Sequence, residues 1–221
     1  MSHGALVLVG GGEFGEGLRG LDATLLESVG ADEVVVLPTA AAFERPERAV
    51  ANAVAHFEAL GAKVREVPVL GRHDAYQSEH VDAVRSARII YLTGGSPLHL
   101  RSVLKETPVW MALLDAWRGG AALVGSSAGA MVLGDPMVDP RGGAFTLGLG
   151  LVENIAVVPH LGAAAEHRTL RLAPQGVHLI GLPEQTAVVK DGEGWRAAGA
   201  LPDDVVVHLD GEVVPLTALP G

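Results

Sequence analysis

The stretch Val124-Gly125-Ser126-Ser127-Ala128-Gly129-Ala130 organises this sequence. The apolar residues 121–124 are typical of a buried strand, and residues 130–133 have the character of a helix start. Gly-x-Ser-x-Gly at such a strand-to-helix turn is the nucleophile-elbow pattern, in which glycines relieve the crowding around a strained central serine. The pattern predicts that Ser127 presents its hydroxyl above the sheet, beside backbone N–H groups that favour developing negative charge.

Strand-like and helix-like segments alternate along the chain as far as this turn. Mostly apolar runs predict strands over residues 5–9, 34–37, 88–92 and 121–124, and residues 64–67 are predicted as a further strand. Helical spacing predicts helices between them, around residues 21–29, 49–60, 79–87, 97–105 and 108–118. Five alternations with short links are typical of a doubly wound parallel sheet.

The pattern changes after Gly134. Residues 134–151 are rich in Gly, Pro and Asp and predict a loop or irregular hairpin, residues 155–158 a short strand, and residues 166–172 a helix. From residue 179 onward, brief apolar runs separated by Asp-Gly turns predict an antiparallel edge. We therefore expect one α/β domain over residues 1–221, with a mostly parallel sheet and a C-terminal antiparallel extension.

Composition excludes several kinds of function. The chain has 221 residues, 48% of them apolar, which suffices for one sizeable core. A net charge of −10, spread along the sequence, argues against a nucleic-acid partner. The chain has no cysteine, so disulfides, thiolate metal sites and a cysteine nucleophile are excluded. We see neither a signal peptide nor an apolar stretch of membrane-spanning length, and expect a cytoplasmic protein without a membrane partner.

A serine nucleophile needs a base, and the base needs an acid to orient it. In elbow enzymes these groups follow in the order Ser, Asp or Glu, His. Of the histidines after the elbow, His160 alone directly follows a predicted core strand, at the sheet edge where α/β proteins keep their sites. The acid is less clear: Asp135 is favoured, Asp139 is a close alternative, and Glu153 precedes the His160 strand.

Two glycine motifs bear on ligand binding. Gly94-Gly95 follows the fourth predicted strand, so the Gly95 N–H is a candidate oxyanion donor together with the N–H of Ala128. Residues 10–15 match the dinucleotide fingerprint Gly-x-Gly-x-x-Gly, but the acidic residue required at the end of the second strand is missing, since that strand ends Leu-Pro-Thr. A nucleotide-dependent oxidoreductase is therefore disfavoured, and we expect neither cofactor nor metal.

An ordered set of motifs resembles a known family. The set comprises Gly10-Gly11-Gly12-Glu13, Gly94-Gly95, the Gly-Ser-Ser-Ala-Gly-Ala elbow, Val138-Asp139-Pro140, Pro159-His160, Arg168-x-x-Arg171-Leu172 and Leu182-x-Glu184-x-Thr186-Ala187. It spans nearly the whole chain and resembles the serine peptidase family of dipeptidase E and cyanophycinase. The resemblance implies a flavodoxin-like three-layer sandwich similar to class I glutamine amidotransferases, with Ser127 as nucleophile and His160 as base. It also implies an acid in the loop after the elbow helix, and Arg168 or Arg171 as a clamp for a substrate carboxylate.

The sequence thus predicts a serine exopeptidase of short peptides, with Asp-X dipeptides favoured. A cyanophycinase-like β-aspartyl-arginine peptidase, an esterase or other acyl hydrolase, and a non-catalytic binding protein of the same fold remain alternatives. The partner we expect is a small peptide substrate. A homodimer is left open, because the sequence does not determine the oligomeric state.

Overall fold

The computed structural model describes residues 3–161, 169 and 172–221. Within them the principal helices are α1 (Arg19–Val29), α2 (Pro46–Glu58), α3 (Ser78–Arg85), α4 (Pro97–Leu104), α5 (Pro108–Arg118) and α6 (Ala128–Leu133). The strands are β1 (Leu6–Val9), β2 (Glu33–Leu37), β3 (Lys63–Glu66), β4 (Ile89–Leu92), β5 (Ala122–Ser126), β6 (Gly134–Asp135), β7 (Met137–Val138), β8 (Phe145–Thr146), β9 (Val152–Glu153), β10 (Ile155–Pro159), β11 (His178–Leu182), β12 (Thr186–Asp191), β13 (Gly194–Gly199), β14 (Val206–Leu209) and β15 (Glu212–Val214). Short 3-10 turns connect several of these elements.

The central sheet has seven strands in the order β13-β12-β1-β5-β4-β2-β3. The five strands from β1 to β3 in this order are all parallel, while β12 and β13 add an antiparallel hairpin beside β1. Because parallel strands end at the same edge, the loops after β1, β4 and β5 meet there. That edge carries both the glycine-rich loop and the Ser127 turn.

Both faces of the central sheet are buried along β1, β2, β4 and β5, which accounts for the continuous apolar runs of these strands. Along β1, Leu6 and Leu8 pack with α3 to α6 on one face, whereas Val7 and Val9 pack with α1 and α2 on the other. All four side chains are fully buried. Alternating side chains thus supply two cores, and the result is a three-layer sandwich with the sheet in the middle.

A second sheet of six short strands, in the order β15-β14-β11-β10-β6-β9, covers the α6 side. Here the structure differs from the sequence-based expectation. The strand before His160 lies in this second sheet and not in the central one, and β11 pairs with it in parallel, with Pro159 opposite Leu182. The antiparallel arrangement expected from residue 179 onward holds for β12 with β13, and for β14 with its neighbours β11 and β15.

The predicted α/β class, with a mostly parallel sheet in a three-layer sandwich and an antiparallel C-terminal extension, is confirmed. The irregular hairpin predicted after the elbow is present as the β7–β8 pair. The helix predicted over residues 166–172 lies largely outside the described residues. Across the part of the chain that the structure describes, no helix combines the length and the apolar character needed to cross a membrane.

Candidate active site

Ser127 occupies the sharp turn between β5 and α6. Its backbone has φ 48° and ψ −107°, a strained conformation for a residue other than glycine. The turn is held in place because the Ser127 N–H donates to the Val9 carbonyl at 2.9 Å. A β-carbon at Gly125 would lie 2.6 Å from the Gly129 backbone, and one at Gly129 would lie 2.4 Å from the Leu92 carbonyl oxygen. Both flanking glycines are therefore required by close packing, as the elbow pattern predicts.

His160 directly follows β10 and faces the serine. Its Nε2 lies 3.0 Å from Ser127 Oγ, within hydrogen-bond distance. The histidine backbone also has a positive φ, 54°, and its N–H donates to the Gly10 carbonyl at 2.9 Å. The structure thus brings together Ser127 and His160, the two residues that the sequence singles out. The imidazole is half-exposed and reachable from solvent.

The carboxylate beside His160 is that of Glu184, which differs from the two aspartates expected there. Glu184 Oε1 lies 3.0 Å from His160 Nδ1. The parallel pairing of β10 with β11 explains this contact, because it places the residues after Pro159 beside those after Leu182. A signal for Glu184 is present in the sequence, because this residue follows an apolar run and a proline and stands in one of the family-like motifs.

Neither aspartate expected for this role hydrogen-bonds to the imidazole. Asp135 lies in β6, where its Oδ1 accepts the N–H of Gly148 at 2.9 Å. Asp139 accepts two side-chain hydrogen bonds and one backbone hydrogen bond from Arg141. These hydrogen bonds to Arg141 lower the pKa of Asp139 to about 2, so its carboxylate stays charged and engaged with the guanidinium. Both aspartates therefore have local partners two to thirteen residues away in sequence.

Two backbone amides near the serine are available as oxyanion donors. Among the described residues, neither the Gly95 N–H nor the Ala128 N–H has a hydrogen-bond acceptor. Gly95 has φ 134°, and a β-carbon there would lie 2.3 Å from the Ala40 carbonyl oxygen. Only glycine fits this turn, which ends where the Ser96 N–H donates to Ala40 at 2.8 Å.

A cavity of about 310 Å³ opens beside Ser127 and His160. Its described walls are mostly apolar, and Asp139 is among the polar residues that line it. The apolar part of the wall comprises Gly95, Pro97, Met131, Val138, Pro140, Val158, Pro159 and Leu161. The cavity has the size of a small-ligand site. Arg168 and Arg171, the predicted carboxylate clamps, lie outside the described residues.

The glycine-rich loop after β1 packs against protein side chains. Gln185 Oε1 accepts the N–H of Gly17 at 2.9 Å, and the His160 ring lies over Gly11. Two glycines of the dinucleotide fingerprint, Gly12 and Gly15, also face the Gln185 side chain, because a β-carbon on either would lie 3.0 Å or less from it. Among the described residues, no group of three His, Asp or Glu side chains is arranged to hold a metal ion.

The site has the order of groups needed to activate a hydroxyl. An ionised Glu184 carboxylate can only accept a hydrogen bond, so this contact assigns the proton of a neutral His160 ring to Nδ1, the donor. The Nε2 lone pair then faces the serine and accepts the Oγ hydrogen. An imidazole in this tautomer can take the serine proton while the neighbouring carboxylate stabilises the resulting positive charge.

Comparison with known proteins shows the family to which the chain belongs. The model of Peptidase family S51 matches residues 6–198, and the chain belongs to that family. Among curated relatives, the cyanophycinase of Nostoc sp. is 29% identical over 212 residues, which cover 86% of this chain and 69% of the relative. The cyanophycinase of Synechococcus elongatus is 34% identical over 123 residues, or 50% of this chain and 37% of the relative.

Two solved structures are similar to this one. A peptidase from an acI-B1 Actinobacterium superposes with a TM-score of 0.82 at 32% identity, covering 96% of this chain and 97% of the other. A putative peptidase E protein from Listeria monocytogenes superposes with a TM-score of 0.70 at 20% identity, covering 90% and 99%, which shows a shared fold. The chain is thus a member of a peptidase family and similar in sequence to cyanophycinases, and the predicted family resemblance is confirmed.

Proposed function

We propose that this chain is a serine peptidase in which Ser127 is the nucleophile, His160 the general base and Glu184 the acid that orients the imidazole. One observation carries the proposal. The serine hydroxyl, the imidazole and the carboxylate form a continuous line of two 3.0 Å contacts beside a cavity. Membership in a peptidase family supports peptide-bond hydrolysis as the reaction.

In the proposed reaction, Ser127 Oγ attacks the scissile carbonyl carbon while His160 Nε2 takes its proton. The carbonyl oxygen becomes an oxyanion and accepts hydrogen bonds from the N–H groups of Gly95 and Ala128. The C–N bond breaks as His160 returns the proton to the leaving amine, and an acyl ester on Ser127 remains. A water molecule then repeats the sequence, with His160 as base, and releases the carboxylic acid.

The proposed substrates are short peptides, because the cavity of about 310 Å³ holds little more than a dipeptide-sized ligand. The sequence favours Asp-X dipeptides. A β-aspartyl-arginine dipeptide is the second candidate, and it is supported by relatives named cyanophycinase that align with most of this chain. An esterase and a non-catalytic binding protein remain as outcomes of the test.

The test combines a peptide panel with a serine substitution. Asp-X dipeptides, β-aspartyl-arginine, other dipeptides and a simple ester are incubated with the native chain, with Ser127→Ala, and with Ser102→Ala, an exposed serine on α4. Ser127→Ala is expected to lower peptide hydrolysis by at least ~10³-fold, since it removes the covalent route. Ser102→Ala should keep the native rate.

A fluorophosphonate probe separates the remaining alternatives. Stoichiometric labelling that disappears in Ser127→Ala supports a reactive serine, and complete inertness of folded protein supports a binding protein. Ester turnover without any peptide turnover would replace the peptidase by an acyl hydrolase. Peptide hydrolysis that continues unchanged in Ser127→Ala would refute the assignment of the nucleophile.

A further inference from the structure

The segment of residues 9–16, which starts at the last residue of β1, forms hydrogen bonds with the backbone of the site. The carbonyls of Val9, Gly10 and Gly11 accept, in order, the N–H groups of Ser127 at 2.9 Å, His160 at 2.9 Å and Gln185 at 2.7 Å. Consecutive residues of one short segment therefore fix the backbone at the serine, at the histidine and directly after Glu184. A side chain in this segment is well placed to influence the site without touching the substrate.

Glu13 is the first charged residue of this segment, and it joins two elements of the site. Its Oε1 accepts the N–H of Gly94 at 2.9 Å, and its Oε2 accepts the hydroxyl hydrogen of Ser126 at 2.7 Å. Ser126 is fully buried and directly precedes Ser127, while Gly94 directly precedes the oxyanion donor Gly95. The carboxylate thus spans the end of β4 and the end of β5, although its own backbone belongs to neither strand.

The geometry points to Glu13 as a positioning residue that sets the distance between the nucleophile and the Gly95 oxyanion donor; this inference rests on the proposed function. The Gly94-Gly95 turn contains two glycines and has few conformational restraints of its own. A charged acceptor forms stronger hydrogen bonds than a neutral one, so Glu13 holds this turn against the serine turn. A β-carbon on Gly94 would lie 3.5 Å from Ser127 Cβ, which shows how closely the two turns approach.

The contacts of Glu13 argue against a direct role in the proton transfer between Ser127 and His160. Both carboxylate oxygens are occupied by Gly94 and Ser126, and neither is hydrogen-bonded to Ser127 or His160. By engaging the Gly94 N–H, the carboxylate leaves the Gly95 N–H as the donor of that turn. Loss of Glu13 should therefore weaken binding of the transition state, where the oxyanion exists, more than binding of the ground state.

The test measures kcat and KM for the peptide hydrolysed fastest by the native chain. Glu13→Ala is expected to lower kcat by about 10²-fold with KM changed less than about threefold, the order expected for displacing one oxyanion donor. Glu13→Gln should recover most of the rate, because its carbonyl oxygen accepts the Gly94 N–H and its amide donates to Ser126 Oγ. Ser126→Ala should lower kcat by about tenfold, since it removes one of the two contacts. Glu16→Ala is the matched control, because Glu16 is an exposed carboxylate of the same segment.

A tetrahedral inhibitor distinguishes positioning from general loss of structure. A peptide boronic acid should lose affinity for Glu13→Ala in parallel with kcat/KM, while the affinity of a product peptide stays unchanged. Thermal unfolding checks that each variant is folded. If Glu13→Ala does not fold, Glu13→Gln with a near-native rate and Ser126→Ala with a reduced kcat still test the inference.

The inference is overturned if folded Glu13→Ala keeps the native kcat, if its defect lies in KM, or if folded Glu13→Gln is as slow as Glu13→Ala. The proposed function fails separately, when native chain and Ser127→Ala hydrolyse the panel equally. In that case, the rates of labelling by the fluorophosphonate show whether Glu13 still affects the reactivity of Ser127. Equal labelling rates for the native chain and Glu13→Ala would overturn the inference as well.

Discussion

Replacing Glu184 by Gln tests the proposed acid most directly. The substitution keeps the size of the side chain and an oxygen that can accept from His160 Nδ1. It removes the negative charge that lies 3.0 Å from the imidazole. The glutamine also has an amide N–H that can donate to Nδ1. This contact favours the tautomer with the proton on Nε2, and a protonated Nε2 cannot accept the serine hydrogen. We expect slower chemistry with an unchanged fold.

The structure bounds the size of this effect. Two unit charges 3.0 Å apart attract by about 1.4 kcal/mol in bulk water and about 5.5 kcal/mol at an effective dielectric constant of 20. The side chains of His160 and Glu184 are 47% and 62% exposed, so water screens much of the attraction. We therefore expect kcat/KM to fall by about 10²-fold, which corresponds to ~2.7 kcal/mol.

The assay follows hydrolysis of the best peptide by native chain, Glu184→Gln and Asp135→Asn under the same conditions. Asp135→Asn is the matched control, because its amide oxygen can still accept the Gly148 N–H and its side chain does not reach His160. It should retain kcat/KM within about threefold, as expected for a substitution away from the reacting groups. The two variants differ in the position of the lost charge.

Two results would refute the reasoning. One is a folded Glu184→Gln that hydrolyses the peptide within about threefold of the native rate, since the charge would then contribute less than ~0.7 kcal/mol to the reaction. The other is a loss in Asp135→Asn as large as that in Glu184→Gln. The second result would return the role of the acid to the loop after the elbow, where the sequence had placed it.

Two further predictions concern groups around the site. In Gly11→Ala, the new β-carbon would lie 2.3 Å from His160 Cε1, so the ring must move and kcat should fall by about 10²-fold. The control is Gly20→Ala, whose β-carbon meets no atom within 4 Å and which should keep the native rate. Tyr91→Phe removes a buried hydroxyl that has no hydrogen-bond partner among the described residues, and should raise the free energy of unfolding by about 1 kcal/mol at neutral pH. Burial, followed by the nearby Asp22 and Glu13 carboxylates, raises the pKa of Tyr91 well above 10, so the unfolded tyrosine loses its proton first and native stability falls above about pH 10. The difference in free energy of unfolding between Tyr91→Phe and the native chain should therefore increase above that pH. Urea unfolding at pH 7 and pH 10.5 measures both effects. A difference that is smaller at pH 10.5 than at pH 7 would contradict the predicted pH dependence.

The sequence predicts the parts of the molecule that local pattern determines. Short strand-like runs that end at glycine or proline predict the five parallel strands, and Gly125 and Gly129 identify the turn that carries Ser127. His160 is predictable because it follows an apolar run directly. The strands, the Ser127 turn and the position of His160 are all determined by residues close to them in sequence. The residue types there therefore indicate the structure directly.

Glu184 is not predictable in the same way, because its place depends on which strands pair. β10 and β11 are brief apolar runs, and nothing within either run states that the two lie side by side and in parallel. The same difficulty affects Asp139. Its charge suggests a catalytic acid, but Arg141 lies two residues away and engages the carboxylate first. A search for an ionic partner within the same loop would have removed Asp139 from consideration.

The glycines of residues 10–15 are explained here by close approach of protein side chains to the backbone. A dinucleotide site needs glycines because the backbone must approach a pyrophosphate closely. Here the backbone approaches His160 and Gln185 instead: a β-carbon on Gly11 would meet the imidazole, and one on Gly15 would lie 2.4 Å from Gln185 Oε1. The pattern therefore reports close approach to a backbone and not the identity of what approaches. In this chain Gly15 makes room for the Gln185 side chain, and Gly11, which lies between two of the fingerprint glycines, makes room for the proposed base, so this loop belongs to the same site as the elbow.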